Sequence, residues 1–94
     1  MEIKNPAVFA VVKKAIDKAD LYGLLNDGCP SDEFDGESNW IADAIVTESI
    51  KTPEALTDCI CRLMSRQFGE DFKPSDWSDT AKEIITGLAS YGLL

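Results

Sequence analysis

Hydrophobic residues recur at intervals of three and four along much of the chain, which is the spacing that places side chains on one face of an α-helix. The first such segment spans about Pro6 to Ala19. Asn5 precedes it as an N-cap residue, and proline is tolerated at the first helical position because its missing N–H has no partner within the helix. The apolar face predicted for this helix consists of Val8, Phe9, Val12, Ala15, Ile16 and Ala19.

Three later segments show the same spacing. A second helix is predicted from Asp35 or Glu37 to Ser49, a third from Thr52 to the residue before Gly69, and a last one from about Asp76 to Ser90. The core candidates are Trp40, Ile41, Ala44, Ile45 and Ile50 in the second, Leu56, Cys59, Ile60, Leu63, Met64 and Phe68 in the third, and Trp77, Ala81, Ile84, Ile85, Leu88 and Tyr91 in the last. No segment alternates over strand length, so we predict an all-α fold, a single domain over residues 1–94 built as a compact bundle of about four short helices.

Composition narrows the functional classes. The chain has 94 residues and a net charge of −8, with 17 acidic residues, nine basic residues and three cysteines. This charge opposes binding to nucleic acid and to anionic membranes. An odd cysteine count and an N-terminus in which an acid comes before the apolar run favour a cytoplasmic protein. The longest apolar run, Ala7 to Val12, is too short to span a bilayer.

Residues that support common catalytic mechanisms are missing. The chain contains no histidine, which excludes His-based triads and imidazole acid–base chemistry. Three thiols alone fall short of a structural zinc site, and no phosphate-binding glycine motif occurs. A domain this small also offers little of the cleft that a pair of catalytic carboxylates requires. We therefore predict a non-enzymatic protein with no metal and no cofactor.

The stretch CPSDEFDGESNWIA, from Cys29 to Ala42, is the most unusual part of the sequence. If Gly36 is placed at position 6 of a calcium-binding loop, Glu33 and Asp35 occupy positions 3 and 5. Position 12, however, is Ala42 where the loop needs a bidentate glutamate, which argues against calcium. A second interpretation is helix capping, because acids in the first turn interact favourably with the helix dipole. Capping explains one or two of these acids.

The acidic composition extends well beyond that stretch. From Ala19 to Ile50 there are eight acids and no lysine or arginine. Helix surfaces that serve solubility usually mix both signs, because like charges repel. A docking face for a basic partner and an undirected solvated face both remain open. The candidate partner-binding residues are Asp27, Asp32, Glu33, Asp35, Glu37, Trp40, Asp43 and Glu48. Trp40 is either an exposed aromatic anchor or a core residue of the second helix.

The segment DLYGLLNDGCPSDEFDGE resembles the pattern of a family of small bacterial proteins, domain of unknown function 1871. The matching positions are Asp20, Gly23, Leu24, Pro30, Asp32, Glu33, Phe34 and Asp35. Ala19, Leu21 and Phe34 depart from the tryptophan, proline and tyrosine of that pattern. The resemblance covers residues 19–40 and implies a small helical fold without known catalytic residues. It also implies that the acids around Phe34 act mainly as caps around an aromatic anchor.

In size, acidity and expected compartment the chain also resembles bacterial immunity proteins, each of which neutralises one basic toxin domain. This resemblance implies that the acidic face would mimic phosphate in the cationic cleft of a toxin, which is a nuclease in many of these systems. Charge attraction would accelerate such an association. The alternative is a small housekeeping or regulatory helical domain, a homodimer among the options, whose acidity serves only solubility. An unburied Trp77 and Tyr91 on the last helix would favour that alternative.

Overall fold

Four helices make up the described part of the chain in a computed structural model, which covers residues 2–19 and 34–94. They are α1 (Pro6–Ala19), α2 (Asp35–Thr47), α3 (Pro53–Phe68) and α4 (Pro74–Ser90). No strand occurs among these residues, so the all-α prediction is confirmed. None of the four described helices has both the length and the hydrophobicity of a membrane span.

The starts of the helices follow local capping rules. Pro6 is the first residue of α1, as predicted. The third helix begins at Pro53, one residue after the predicted start, because Thr52 is its N-cap: the Thr52 hydroxyl accepts a hydrogen bond from the Ala55 N–H at 3.3 Å. The predicted start of α4 at Asp76 was two residues late. Pro74 is itself the first helical residue, and the Asp76 carboxylate accepts a hydrogen bond from the Lys73 N–H at 2.8 Å.

Three helices end with the same left-handed turn. Ser49, Gly69 and Gly92 have φ angles of 52°, 65° and 67°. In each case the next N–H bonds back to a carbonyl five residues earlier: Ile50 to Ile45, Glu70 to Ser65, and Leu93 to Leu88. This is the Schellman arrangement, which satisfies carbonyls left open at a helix end. The left-handed residue at 49 also explains why α2 ends at Thr47 and not at Ser49.

The helices pack in a closed cycle, α1 against α2, α2 against α3, α3 against α4, and α4 against α1. Each buries one apolar stripe in a shared core. The buried apolar residues are Val8, Phe9, Val12, Ala15, Ile16, Phe34, Ile41, Ala42, Ile45, Ile50, Leu56, Cys59, Ile60, Met64, Trp77, Ala81, Ile84 and Leu88. Most predicted core positions are among them, whereas Ala19, Trp40 and Tyr91 are exposed.

Aromatic contacts hold the segments that join the helices. The Phe34 ring, fully buried just before α2, packs edge-on against Phe68 of α3 with centroids 6.4 Å apart. Between α3 and α4, Phe72 packs edge-on against the buried Trp77 at 5.6 Å. The Phe72 backbone also bonds to α3, accepting from the Cys61 thiol at 3.0 Å and donating to the Ser65 hydroxyl at 3.2 Å.

The left-handed turn after α2 gives a stability prediction. Ser49→Gly should raise the free energy of unfolding by about 0.5 to 1 kcal/mol, because a left-handed conformation costs a residue with a Cβ roughly 1 to 2 kcal/mol, partly offset by the greater freedom of glycine when unfolded. Urea unfolding with an unchanged m-value measures this.

Gly69→Ser is the reciprocal control, since no atom lies within 4 Å of a Cβ built at Gly69 and only the backbone conformation is at stake. It should lower the free energy of unfolding by a similar amount. If both variants match the parent chain, the two φ angles do not carry the expected cost.

Candidate functional site

The predicted partner-binding residues divide into three groups. Asp27, Asp32 and Glu33 lie outside the described residues. Asp35 lies on the side of α2 that faces α1, and Glu37, Trp40, Asp43 and Glu48 lie on or beside its outer surface. The structure therefore brings four of the eight candidates to one region, which we call the α2 edge, defined by Glu37, Trp40, Asp43 and Glu48.

Asp35 is already paired with a cation. The Lys13 Nζ lies 2.6 Å from the Asp35 Oδ1 and 2.9 Å from the Asp17 Oδ2, so one lysine of α1 joins two carboxylates. Burial acts to lower the pKa of Lys13. The hydrogen bonds to Asp35 and Asp17 and the charges of both groups outweigh it, so that pKa lies above its usual value. Asp35 thus attaches α2 to α1 and belongs to the structural framework more than to a free surface.

The acids of the α2 edge have no such partner among the described residues. No described lysine or arginine lies within ion-pairing distance of Glu37, Asp43 or Glu48. Glu37, Trp40 and Asp43 are spaced three residues apart on α2, which makes them neighbours on the helix surface. Glu48 follows the last residue of the helix. Like charges at such separations repel, so a bound cation would relieve that repulsion.

Trp40 is the largest exposed apolar side chain of the α2 edge. Its exposed fraction is 53%, so the prediction that it is a core residue of α2 is wrong and its exposure meets the condition for an anchor. The helix buries Ser38, Ile41, Ala42 and Ile45 instead. Because each residue advances about 100° around the axis, Trp40 lies roughly 200° from both Ser38 and Ala42, so the burial of those two residues turns Trp40 away from the core. The buried face of α2 includes Ser38 where the apolar pattern placed Trp40. A polar residue such as serine gives no signal in that pattern.

A shallow groove of about 190 Å³ lies between α2 and α3, beside Trp40. Its α2 wall carries Trp40, Ala44 and Glu48, and its α3 wall is lined by Cys59, Arg62, Leu63 and Arg66. Arg62 bonds to Asp58 on its own helix, with 3.1 Å between Nε and Oδ2. The groove thus combines apolar side chains with a glutamate on one wall and arginines on the other.

The arginines of this groove were missed by reasoning from sequence alone. The acidic window from Ala19 to Ile50 contains no basic residue, but packing places Arg62 and Arg66 of α3 at its border. Antiparallel packing of neighbouring helices with short connections could have signalled this, since α3 follows α2 directly. The candidate surface therefore has mixed charge at one side and acidic charge on the other.

Two of the three thiols, those of Cys59 and Cys61, lie among the described residues. Burial raises the pKa of the Cys59 thiol above its ordinary value, and the nearby Glu48 carboxylate acts in the same direction. Cys59 and Cys61 are both free, and the Cys61 thiol donates to a backbone carbonyl. Within residues 2–19 and 34–94, no three acids or thiols are grouped so that they could hold a metal ion.

Trp77 and Tyr91 are not both unburied, which is the arrangement that would favour a housekeeping or regulatory domain. Trp77 is buried, with 3% of its surface exposed, whereas Tyr91 is 72% exposed beyond the end of α4. Asp76 lies in the first turn of α4, as expected of a cap.

No family model, curated protein or solved structure matches the chain, so the description of the candidate site rests on its geometry alone.

The Lys13–Asp35 ion pair gives a second prediction. In a double-mutant cycle of Lys13→Met and Asp35→Asn, we expect a coupling of about 1 kcal/mol at pH 7, because both side chains are only partly exposed. Chemical unfolding of the four variants measures it. The folded-state pKa of Lys13 is raised above 10.5, so the contribution of the lysine should be complete below pH 10.5 and lost as pH rises through that folded pKa.

Arg62→Met with Asp58→Asn is the matched control cycle, since this pair is about two-thirds exposed on each side. Its coupling should be close to zero. A Lys13–Asp35 coupling no greater than that of the control pair would contradict a structural role for Asp35.

Proposed function

We propose that this chain is a non-catalytic binding protein that docks a basic protein partner through the α2 edge. The observation that supports this most directly is the half-exposed Trp40, which lies between Glu37 and Asp43 on the same helix surface. A tryptophan costs free energy when left in water, and aromatic residues are frequent binding hot spots. The flanking carboxylates of Glu37 and Asp43 have no cationic partner among the described residues, so they favour a partner with positive charge beside the apolar contact of Trp40.

The chemistry of the surface defines the partner. Glu37, Asp43 and Glu48 favour lysine and arginine side chains, and the indole face of Trp40 can accept a guanidinium in a cation–π contact. The net charge of −8 would attract such a partner from a distance and raise the association rate at low salt. Arg62 and Arg66 border the same surface, so a partner that fits it carries an acidic or polar group beside its cationic patch.

We further propose that the partner is a toxin domain and that the chain acts as its immunity protein in the cytoplasm. An acidic surface with a central aromatic anchor fits a cationic cleft that evolved to hold phosphate, as nuclease sites do. The free thiols of Cys59 and Cys61 agree with a reducing compartment. The resemblance to domain of unknown function 1871 stays a prediction; if it holds, it weakens the docking role of Asp32, Glu33 and Phe34.

The second candidate is a small helical housekeeping or regulatory domain that acts without a toxin. Of the two aromatic residues whose exposure would favour it, Trp77 is buried and Tyr91 is exposed. Tyr91 lies far from the acidic residues of α2 in the sequence. A homodimer through that end of α4 would give Tyr91 a role that the first candidate does not supply.

Charge reversal of the α2 edge tests the proposed docking. A Glu37→Lys, Asp43→Lys, Glu48→Lys variant should lose a basic protein that the parent chain captures from the native host's lysate, with affinity reduced roughly 100-fold or more. Trp40→Ala should reduce affinity roughly tenfold or more. Both effects are measured with the purified partner, and circular dichroism confirms that the variants remain helical.

Glu54→Lys, Asp71→Lys, Asp79→Lys is the matched control, because these exposed acids lie outside α2 and the net charge changes equally. This variant should retain the partner. Equal loss in both triple variants would mean unspecific charge attraction, and retention in both would exclude the α2 edge. Expression of the captured partner alone then tests the toxin assignment: growth without arrest would overturn that assignment and leave docking intact.

A further inference from the structure

A second and larger groove lies on the opposite side of the bundle. Because the helices pack in a closed cycle, the outer groove between α1 and α4 faces away from the one between α2 and α3. Its volume is about 930 Å³. None of the five predicted partner-binding residues that the structure describes lines it, so it is separate from the α2 edge.

Small side chains bring the two walls of this groove close together. Val11 of α1 lies against Gly87 of α4, where a Cβ built on the glycine would be 2.9 Å from the valine Cγ1. Ala7 and Ala10 continue the α1 wall and are exposed. Exposed alanines beside a glycine leave a shallow apolar trough, in which the backbone of another helix can approach closely.

The groove is polar at one end and apolar at the other. Lys18 of α1 pairs with Glu83 of α4 at 2.8 Å, whereas Val11 lies opposite Gly87, so the two helices run antiparallel. Lys14 and Lys82 therefore lie toward the end that contains the Lys18–Glu83 pair, and Tyr91 and Leu93 line the other end.

The charge at the polar end is opposite to that of the whole chain. Lys14 and Lys82 are exposed and have no ion-pair partner among the described residues. Lys18 and Glu83 neutralise each other, and this contact raises the pKa of Lys18. Two uncompensated cations thus border an apolar groove in a chain whose net charge is −8. Charge complementarity favours an anionic occupant here, in contrast to the α2 edge.

We propose that the α1/α4 groove binds an amphipathic helix of another protein, with acidic side chains at one end of that helix. Ala7, Ala10, Val11 and Lys14 follow the spacing of one helical face over about two turns, so a ligand helix of two to three turns matches its length. Apolar residues of the ligand would contact the alanines, Tyr91 and Leu93. Its acids would pair with Lys14 and Lys82. A second copy of this chain is a poorer occupant, since each copy carries a charge of −8.

Selection from a displayed library of random helical peptides, about 14 residues long to cover the groove with room at both ends, tests the proposal with the full chain as bait. We expect enriched peptides with apolar residues at positions i, i+3 or i+4, and i+7, and with Asp or Glu at one end. Fluorescence anisotropy should show that Lys14→Glu, Lys82→Glu weakens the enriched peptides roughly tenfold or more. The same peptides with lysine in place of their acids should bind this variant better than they bind the parent chain.

Lys51→Glu, Lys73→Glu is the matched control, because both lysines are exposed outside the groove and the net charge changes equally. It should bind the peptides like the parent chain. No enrichment, enrichment of basic peptides, or equal weakening in the two double variants would overturn the proposal. Sedimentation equilibrium tests whether a second copy of this chain occupies the groove. A dimer that Ala10→Arg abolishes would assign the groove to that second copy and overturn the proposal.

Discussion

Burial of one apolar stripe from each helix in a single small core is the constraint on which the rest of this structure depends. Each helix contacts two neighbours, so its remaining surface faces solvent on the outside of the cycle. The core that the described residues form does not include Trp40, Val46 or Tyr91, which are all exposed. Large apolar side chains that remain outside such a small core are candidates for binding surfaces. The α2 edge contains one such side chain, Trp40, and the α1/α4 groove contains another, Tyr91, in each case beside charged residues.

Local signals made most of the helices predictable. The bounds of α1 follow from Pro6 and the apolar spacing, and those of α3 follow from Thr52, Pro53 and Gly69. Errors arose where a residue had an unusual role. Ser49 ends α2 in a left-handed conformation that is commoner for glycine, and Pro74 starts α4 without a Ser, Thr, Asp or Asn before it. Both cases depend on backbone geometry that the hydrophobic pattern does not report.

The candidate site was predictable only in part, because charge was evaluated along the chain and not in space. Lys13 of α1 pairs with Asp35 from 22 residues away, and Arg62 and Arg66 of α3 reach the border of the acidic surface. The exposure of Trp40 depends on how α2 is rotated about its axis. That rotation buries the polar Ser38, which the apolar pattern does not indicate. The negative charge of the α2 edge could be predicted from the sequence. Which residues belong to that surface depends on how α1, α2 and α3 pack together.

The contact between α1 and α4 has a consequence for how the chain folds. Lys18 and Glu83 are separated by 65 positions, whereas α3 and α4 pack on each other across a connection of a few residues. Closing a long loop costs more conformational entropy than closing a short one, so contacts near in sequence form at lower entropic cost. The α3–α4 hairpin can therefore assemble early, and α1 completes the cycle by a long-range closure. The wall that Val11 and Gly87 form is then among the last parts of the fold to be completed.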